Sequence, residues 1–174
     1  MTRTLVSLTV LLLMLGVPAY SQQPNVYDIA RTGTVEQAKA ITKTNPEAFK
    51  TVNENGYSPL TLACYRGNTD VARYLIDNGS DINGNSNMGT PLMAAVVKGN
   101  SDIVQYLLDK KADPNLTDPN GTTALIYAVT FRNPDIIKLL LAHGAEKAIA
   151  DNKGKTAFEY AVFSGNETII NLLK

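Results

Sequence analysis

This chain has little of what reactive or metal-binding proteins depend on. Its 174 residues include one cysteine, one histidine and no tryptophan, and sixteen basic residues are matched by sixteen acidic ones. One cysteine excludes a disulfide within the chain. His143 has no second histidine or spare cysteine with which to build a zinc site. A serine–histidine–acid triad would need His143 as its base, and nothing marks any serine as an activated nucleophile. The glycines sit at regular turns rather than in a phosphate-binding loop, so no cofactor is expected. Zero net charge argues against bulk binding to nucleic acid. The one long apolar run, Leu5–Val17, is about 13 residues, short of the roughly 20 needed to span a bilayer.

That run has its own meaning. Arg3 precedes it, and Pro18-Ala19-Tyr20-Ser21 follows with small residues at positions −3 and −1 of a cleavage site. Residues 1–21 therefore read as a signal peptide cut after Ser21, leaving a mature domain over residues 22–174 with no membrane span. Loss of Arg3 leaves the mature chain one unit negative. No cysteine lies near the cut to carry a lipid. The short signal and the scarcity of cysteine point to an exported protein, periplasmic or secreted.

The rest of the sequence is filled by repetition. Gly56-Tyr57-Ser58-Pro59-Leu60 recurs as Met88-Gly89-Thr90-Pro91-Leu92, Gly121-Thr122-Thr123-Ala124-Leu125 and Gly154-Lys155-Thr156-Ala157-Phe158. Ser58, Thr90, Thr123 and Thr156 are spaced by 32, 33 and 33 residues. Each frame continues alike: Ala63 to Gly67-Asn68, Ala95 to Gly99-Asn100, Ala128 to Arg132-Asn133, and Ala161 to Gly165-Asn166. A hydroxyl residue before proline starts a helix, because the side chain caps free amides and proline needs no donor in the first turn. The small residues Ala63, Ala95, Ala128 and Ala161 let neighbouring first helices approach closely. Glycine ends those helices in a left-handed conformation without penalty, and Arg132 should carry local strain where it replaces one. The second helices show an apolar stripe, such as Val71, Leu75, Ile76 and Ile103, Val104, Leu107, Leu108. One helix pair cannot bury such a face alone, so units must stack and close with polar caps.

These residues resemble the ankyrin repeat, whose pattern is Gly-x-Thr-Pro-Leu-His-x-Ala, then Gly-Asn, Val-x-x-Leu-Leu and Gly-Ala-x-x-Asn. The closing part stands here as Gly79-Ser80-Asp81-Ile82-Asn83 and Ala112-Asp113-Pro114-Asn115. The resemblance implies an all-α repeat solenoid of stacked helix pairs with short β-hairpin fingers, in about five units. They are a degenerate opening unit over 25–52, complete repeats over 53–84, 85–117 and 118–150, and a truncated closing unit over 151–174. The helix-opening histidine is replaced by Thr61, Met93, Ile126 and Glu159, which removes its usual hydrogen bond to the next turn.

The same resemblance implies a non-enzymatic, monomeric module that binds a protein through its concave side. Carried over position by position, it selects Tyr57, Lys153 and Lys155 at the fingertips, with Tyr65, Arg66, Lys98, Phe131 and Phe163 on the first helices. Arg31, Thr32, Val97, Thr130 and Ser164 stand in the same rows. The set is basic and aromatic with Glu54 as its acid, so the expected partner presents acidic and apolar groups. Two narrower roles stay open beside general protein binding: an inhibitor or host-directed effector blocking an enzyme, and an accessory in periplasmic oxidative-stress protection. Cys64 reads as a small core residue. Asp70, Asp77, Asp102, Asp109 and Asp135 read as solvated surface charges. Asn-x-Ser/Thr triplets at Asn78, Asn115, Asn120 and Asn166 would accept glycans only in a eukaryotic secretory route.

Overall fold

Ten helices pair off along the computed structural model, which describes residues 25–174; the expected signal peptide lies outside them. In chain order they are α1 (Val26–Thr32), α2 (Val35–Thr44), α3 (Pro59–Arg66), α4 (Thr69–Asp77), α5 (Pro91–Lys98) and α6 (Ser101–Asp109). Then come α7 (Ala124–Thr130), α8 (Pro134–Ala142), α9 (Ala157–Ser164) and α10 (Glu167–Leu173). First helices stack on first helices, α1 on α3 on α5 on α7 on α9, and second helices stack behind them. The result is the all-α repeat solenoid that the pattern implies.

The caps act as their residue types require. Ser58, Thr90, Thr123 and Thr156 each accept the amide of the residue three ahead, and Pro59 and Pro91 fill the first turns of α3 and α5. α9 starts with a full capping box, since Glu159 in turn accepts the Thr156 amide at 2.7 Å. Gly67 and Gly99 end their helices at φ of 77° and 75°. Arg132 is forced into the same region at φ 55°, the strain its position predicts. Lys111 shares that fate at φ 72°, where the preceding and following units have Gly79 and Gly144.

One continuous apolar core runs through the stack. Ala63, Ala95, Ala128 and Ala161 are fully buried between first helices, and Val71, Leu75, Ile103, Leu107, Ile136 and Leu140 pack behind them. Cys64 is fully buried, and burial pushes its thiol up to about 12. The closing unit departs from the expected polar cap. Phe158 and Val162 are 37% and 52% exposed, whereas Leu60, Leu92, Leu125 and Cys64, Val96, Val129 at the same positions are at most 1% exposed. No helix pair follows α10 among the described residues to cover them.

The fingers are leaner than β-hairpins. Single bridges, Ser86 with Gly89, Thr117 with Thr123 and Ala150 with Thr156, stand where short ladders were expected. Side chains hold the turns instead. Asn53 Oδ1 accepts the Asn55 and Tyr57 amides, Asp118 those of Asn120 and Thr122, and Asp151 those of Lys153 and Lys155, all within 3.0 Å. Asparagines then tie each unit to the next. Asn68 Nδ2 donates to the Gly33 carbonyl at 3.0 Å, and Asn83 Oδ1 accepts the Asp113 amide at 2.9 Å. Asn115 accepts the Glu146 amide at 2.8 Å and donates to the Gly144 carbonyl at 3.0 Å. With both ends of its amide engaged, Asn115 is a joint of the stack rather than a free glycan acceptor.

Candidate functional site

The two residues before the glycine that follows each first helix (before Arg132 in the fourth unit) form two rows across the stack. Arg31 and Thr32 come from α1, Tyr65 and Arg66 from α3, and Val97 and Lys98 from α5; together they line a depression of about 480 Å³. Helix geometry explains the grouping. These positions lie two and three residues past the buried Ile29, Ala63 and Ala95, on the edge that the core leaves free. Lys98 lies back over α3: a β-carbon at Gly67 would come within 2.8 Å of its Cε, so the glycine makes room for the lysine stem. Arg31 pairs with Asp28 on its own helix at 3.0 Å. Arg66 and Lys98 make no ion pair among the described residues, so two cations stand unneutralised in the depression that Tyr65 also lines.

The other selected residues spread along the same rows and the fingers. Phe131 is 52% exposed and leans on Tyr127, their rings stacked with centroids 6.4 Å apart. Phe163 is 88% exposed, and Lys155 Nζ sits 5.6 Å from its ring centre and 5.8 Å from that of Tyr160. Lys153 is exposed on the same finger as Lys155, where its amide is bound by Asp151. Tyr57 is half-buried and packs against the core from its finger, apart from the depression.

Two buried carboxylates escaped the sequence reading. Asp118 and Asp151 are 6% and 9% exposed, and each accepts a tyrosine hydroxyl from the following first helix. The Tyr127–Asp118 bond is 2.7 Å and the Tyr160–Asp151 bond 2.6 Å. Burial acts to raise Asp118, but the Tyr127 hydroxyl and the Thr122 and Asn120 amides outweigh it and hold the carboxyl below its ordinary range. Asp151 is held low chiefly by the Tyr160 hydroxyl and the Lys155 amide. Burial, with Asp118 beside it, pushes Tyr127 up to about 12. The signal was available as an Asp five residues before the capping Thr and a Tyr four residues after it, twice, 33 residues apart.

Asp77 is also more than a solvated charge. It accepts the Tyr106 hydroxyl at 2.7 Å and the Lys110 ammonium at 2.7 Å, while the Arg73 guanidinium lies 5.0 Å from the Tyr106 ring centre. That cluster fastens α4 to α6 on the outer face. No group of three or more His, Cys, Asp or Glu side chains is placed to hold a metal among the described residues. His143 faces the Leu139 carbonyl at 2.8 Å and Asp109 at 3.5 Å, as a tie between α8 and α6. No helix among the described residues is long and apolar enough to cross a membrane.

Stacked helix pairs with glycine-ended first helices, hydroxyl caps and side-chain-held fingers define a repeat protein that offers a surface rather than an enclosed site. A family model for ankyrin repeats in three copies matches residues 27–118 and again 110–174. The chain belongs to the ankyrin-repeat family. No curated protein matches it. Ankyrin repeats are generally protein–protein interaction modules and typically not enzymes.

Proposed function

We propose that this chain is an exported protein–protein interaction module. It binds a protein partner through the concave edge of its first helices. The convergence of Arg31, Tyr65, Arg66 and Lys98 on one depression carries the reading. Aromatic and arginine side chains are the commonest anchors of protein interfaces, and unneutralised cations sharing a depression with an exposed ring favour an acidic, apolar partner. Export rests on the basic–apolar–small pattern of residues 1–21. The module acts as a monomer in the periplasm or outside the cell, without cofactor.

Crosslinking pull-down with the mature chain, Gln22–Lys174, tests the binding face. A folded Tyr65→Ala/Arg66→Glu/Phe131→Ala variant is run beside it. A partner captured by the native chain and lost by the variant is the expected outcome; one kept by the variant sinks the face. Mass determination of the exported product tests the leader, the expected N-terminus being Gln22.

A further inference from the structure

The exposed ends of the first helices change character between the third and fourth units. Units one to three present Arg31, Arg66 and Lys98, one cation each. Units four and five present Phe131 and Phe163, 52% and 88% exposed, with the exposed Arg132 directly following Phe131. Lys155 is drawn onto the Phe163 ring, so that end offers a ring face already occupied by a cation. A partner that matches both halves must itself be divided.

We infer that the concave edge takes an extended acidic polypeptide segment in a fixed orientation, its acids over units one to three and its apolar side chains over units four and five. This rests on the proposed concave contact. Packed helices stand about 8–10 Å apart. An extended chain in the polyproline II form rises about 3.1 Å per residue and, at three residues per turn, sets every third side chain on the same side. Every third residue of such a segment therefore meets the next unit. The depression over the first three units, about 480 Å³, suits a few side chains. Carboxylates at that spacing meet Arg31, Arg66 and Lys98 in turn. Arg66 and Lys98 lack an ion pair among the described residues, so the segment gains most there. The apolar end is anchored by desolvating Phe131 and the part of the Phe163 ring that Lys155 leaves open, which salt weakens less than the charged end.

The probe is a fluorescein-labelled peptide with Glu at every third residue, then Phe and Leu at every third, separated by Ser. It is made in both chain orders, and a second version has Gln for each Glu. Anisotropy with the Gln22–Lys174 chain should show one order of the Glu probe binding at least tenfold tighter than its Gln version. That gap should shrink between about 0.05 and 0.3 M salt as screening shortens. A folded Arg66→Glu/Lys98→Glu variant should lose roughly tenfold for the Glu probe, or about 1.4 kcal/mol. It should change little for the Gln probe. Phe131→Ala/Phe163→Ala should weaken both probes with the salt dependence kept. A spin label on the apolar end of the peptide should broaden amide signals around Phe131 and Phe163, not those around Arg66. Equal binding of Glu and Gln probes, broadening at both ends, or no binding in either order overturns the inference. Amide shifts confined to residues outside the two rows overturn the concave contact itself.

Discussion

Three of the four fingers are built from the same turn, the second (Ser86–Gly89) being one residue shorter, yet the first two and the last two are locked differently. Asn53 and Ser86 open the first pair with neutral side chains, and no tyrosine reaches them: Leu62 and Ala94 stand where Tyr127 and Tyr160 stand later. Asp118 and Asp151 open the second pair, and each gathers two backbone amides and a phenol hydroxyl around one charge. Hydrogen bonds to a charged acceptor are about twice as strong as neutral ones. Between the first finger and the last two the repeat thus keeps one backbone turn while exchanging a neutral lock for a charged one, and the difference teaches that stability need not be uniform along a regular array.

The largest expected effect comes from breaking the charged lock. Asp118→Ala leaves two amides and a phenol without their acceptor, and should cost about 2–3 kcal/mol in urea unfolding. Asn53→Ala, at the same place in the neutral finger, should cost about 1 kcal/mol. Equal losses would erase the comparison. Tyr127→Phe removes one bond to the charge and should fall between them, about 1.5 kcal/mol.

Acid should tell the two pairs apart as well. The folded carboxyls of Asp118 and Asp151 are held below their unfolded value of about 3.9. Their contribution is present above that value and is lost as pH falls through the lower folded value. Stability should therefore drop as pH falls below about 4. An Asp118→Asn/Asp151→Asn variant should lose less over that window. A variant with the native slope would place the acid sensitivity elsewhere.

The smallest effects are gains. Lys111 and Arg132 occupy left-handed positions that cost a side chain roughly 1 kcal/mol. Lys111→Gly and Arg132→Gly should each raise stability by about 0.5–1 kcal/mol, read as a rise in urea midpoint with unchanged slope. Gly99→Ala, at the matching place in the preceding unit, should lose a similar amount.

What the sequence disclosed was local and periodic. Ser58-Pro59 and Thr90-Pro91 announce helix starts because capping depends only on residues three apart, and Gly67, Gly99 and the strain at Arg132 follow from one backbone angle. The selection of Tyr65, Arg66 and Lys98 follows from the family resemblance carried over in phase, and the fold gathers all three beside one depression. The Asn83–Asp113 and Asn115–Glu146 bonds could not be read that way, since they join residues about thirty apart whose distance is set by stacking. The Asp–Tyr locks lay between these cases. Their spacing is local and repeated, but the aspartates look like ordinary turn residues until burial makes their charge costly. Lys111 was hidden because the break in the glycine pattern there falls in a loop, where any residue looks acceptable.

Cys64 turns its position in the first complete repeat into a clock. Its thiol is sealed between helices and stays protonated far above neutral pH. A maleimide or disulfide reagent therefore reacts only when that repeat opens. With one cysteine in the sequence, the labelling rate reports a single event at a single place. Time spent unreacted measures how long the near end of the array stays shut, while the locked far end can be weakened independently.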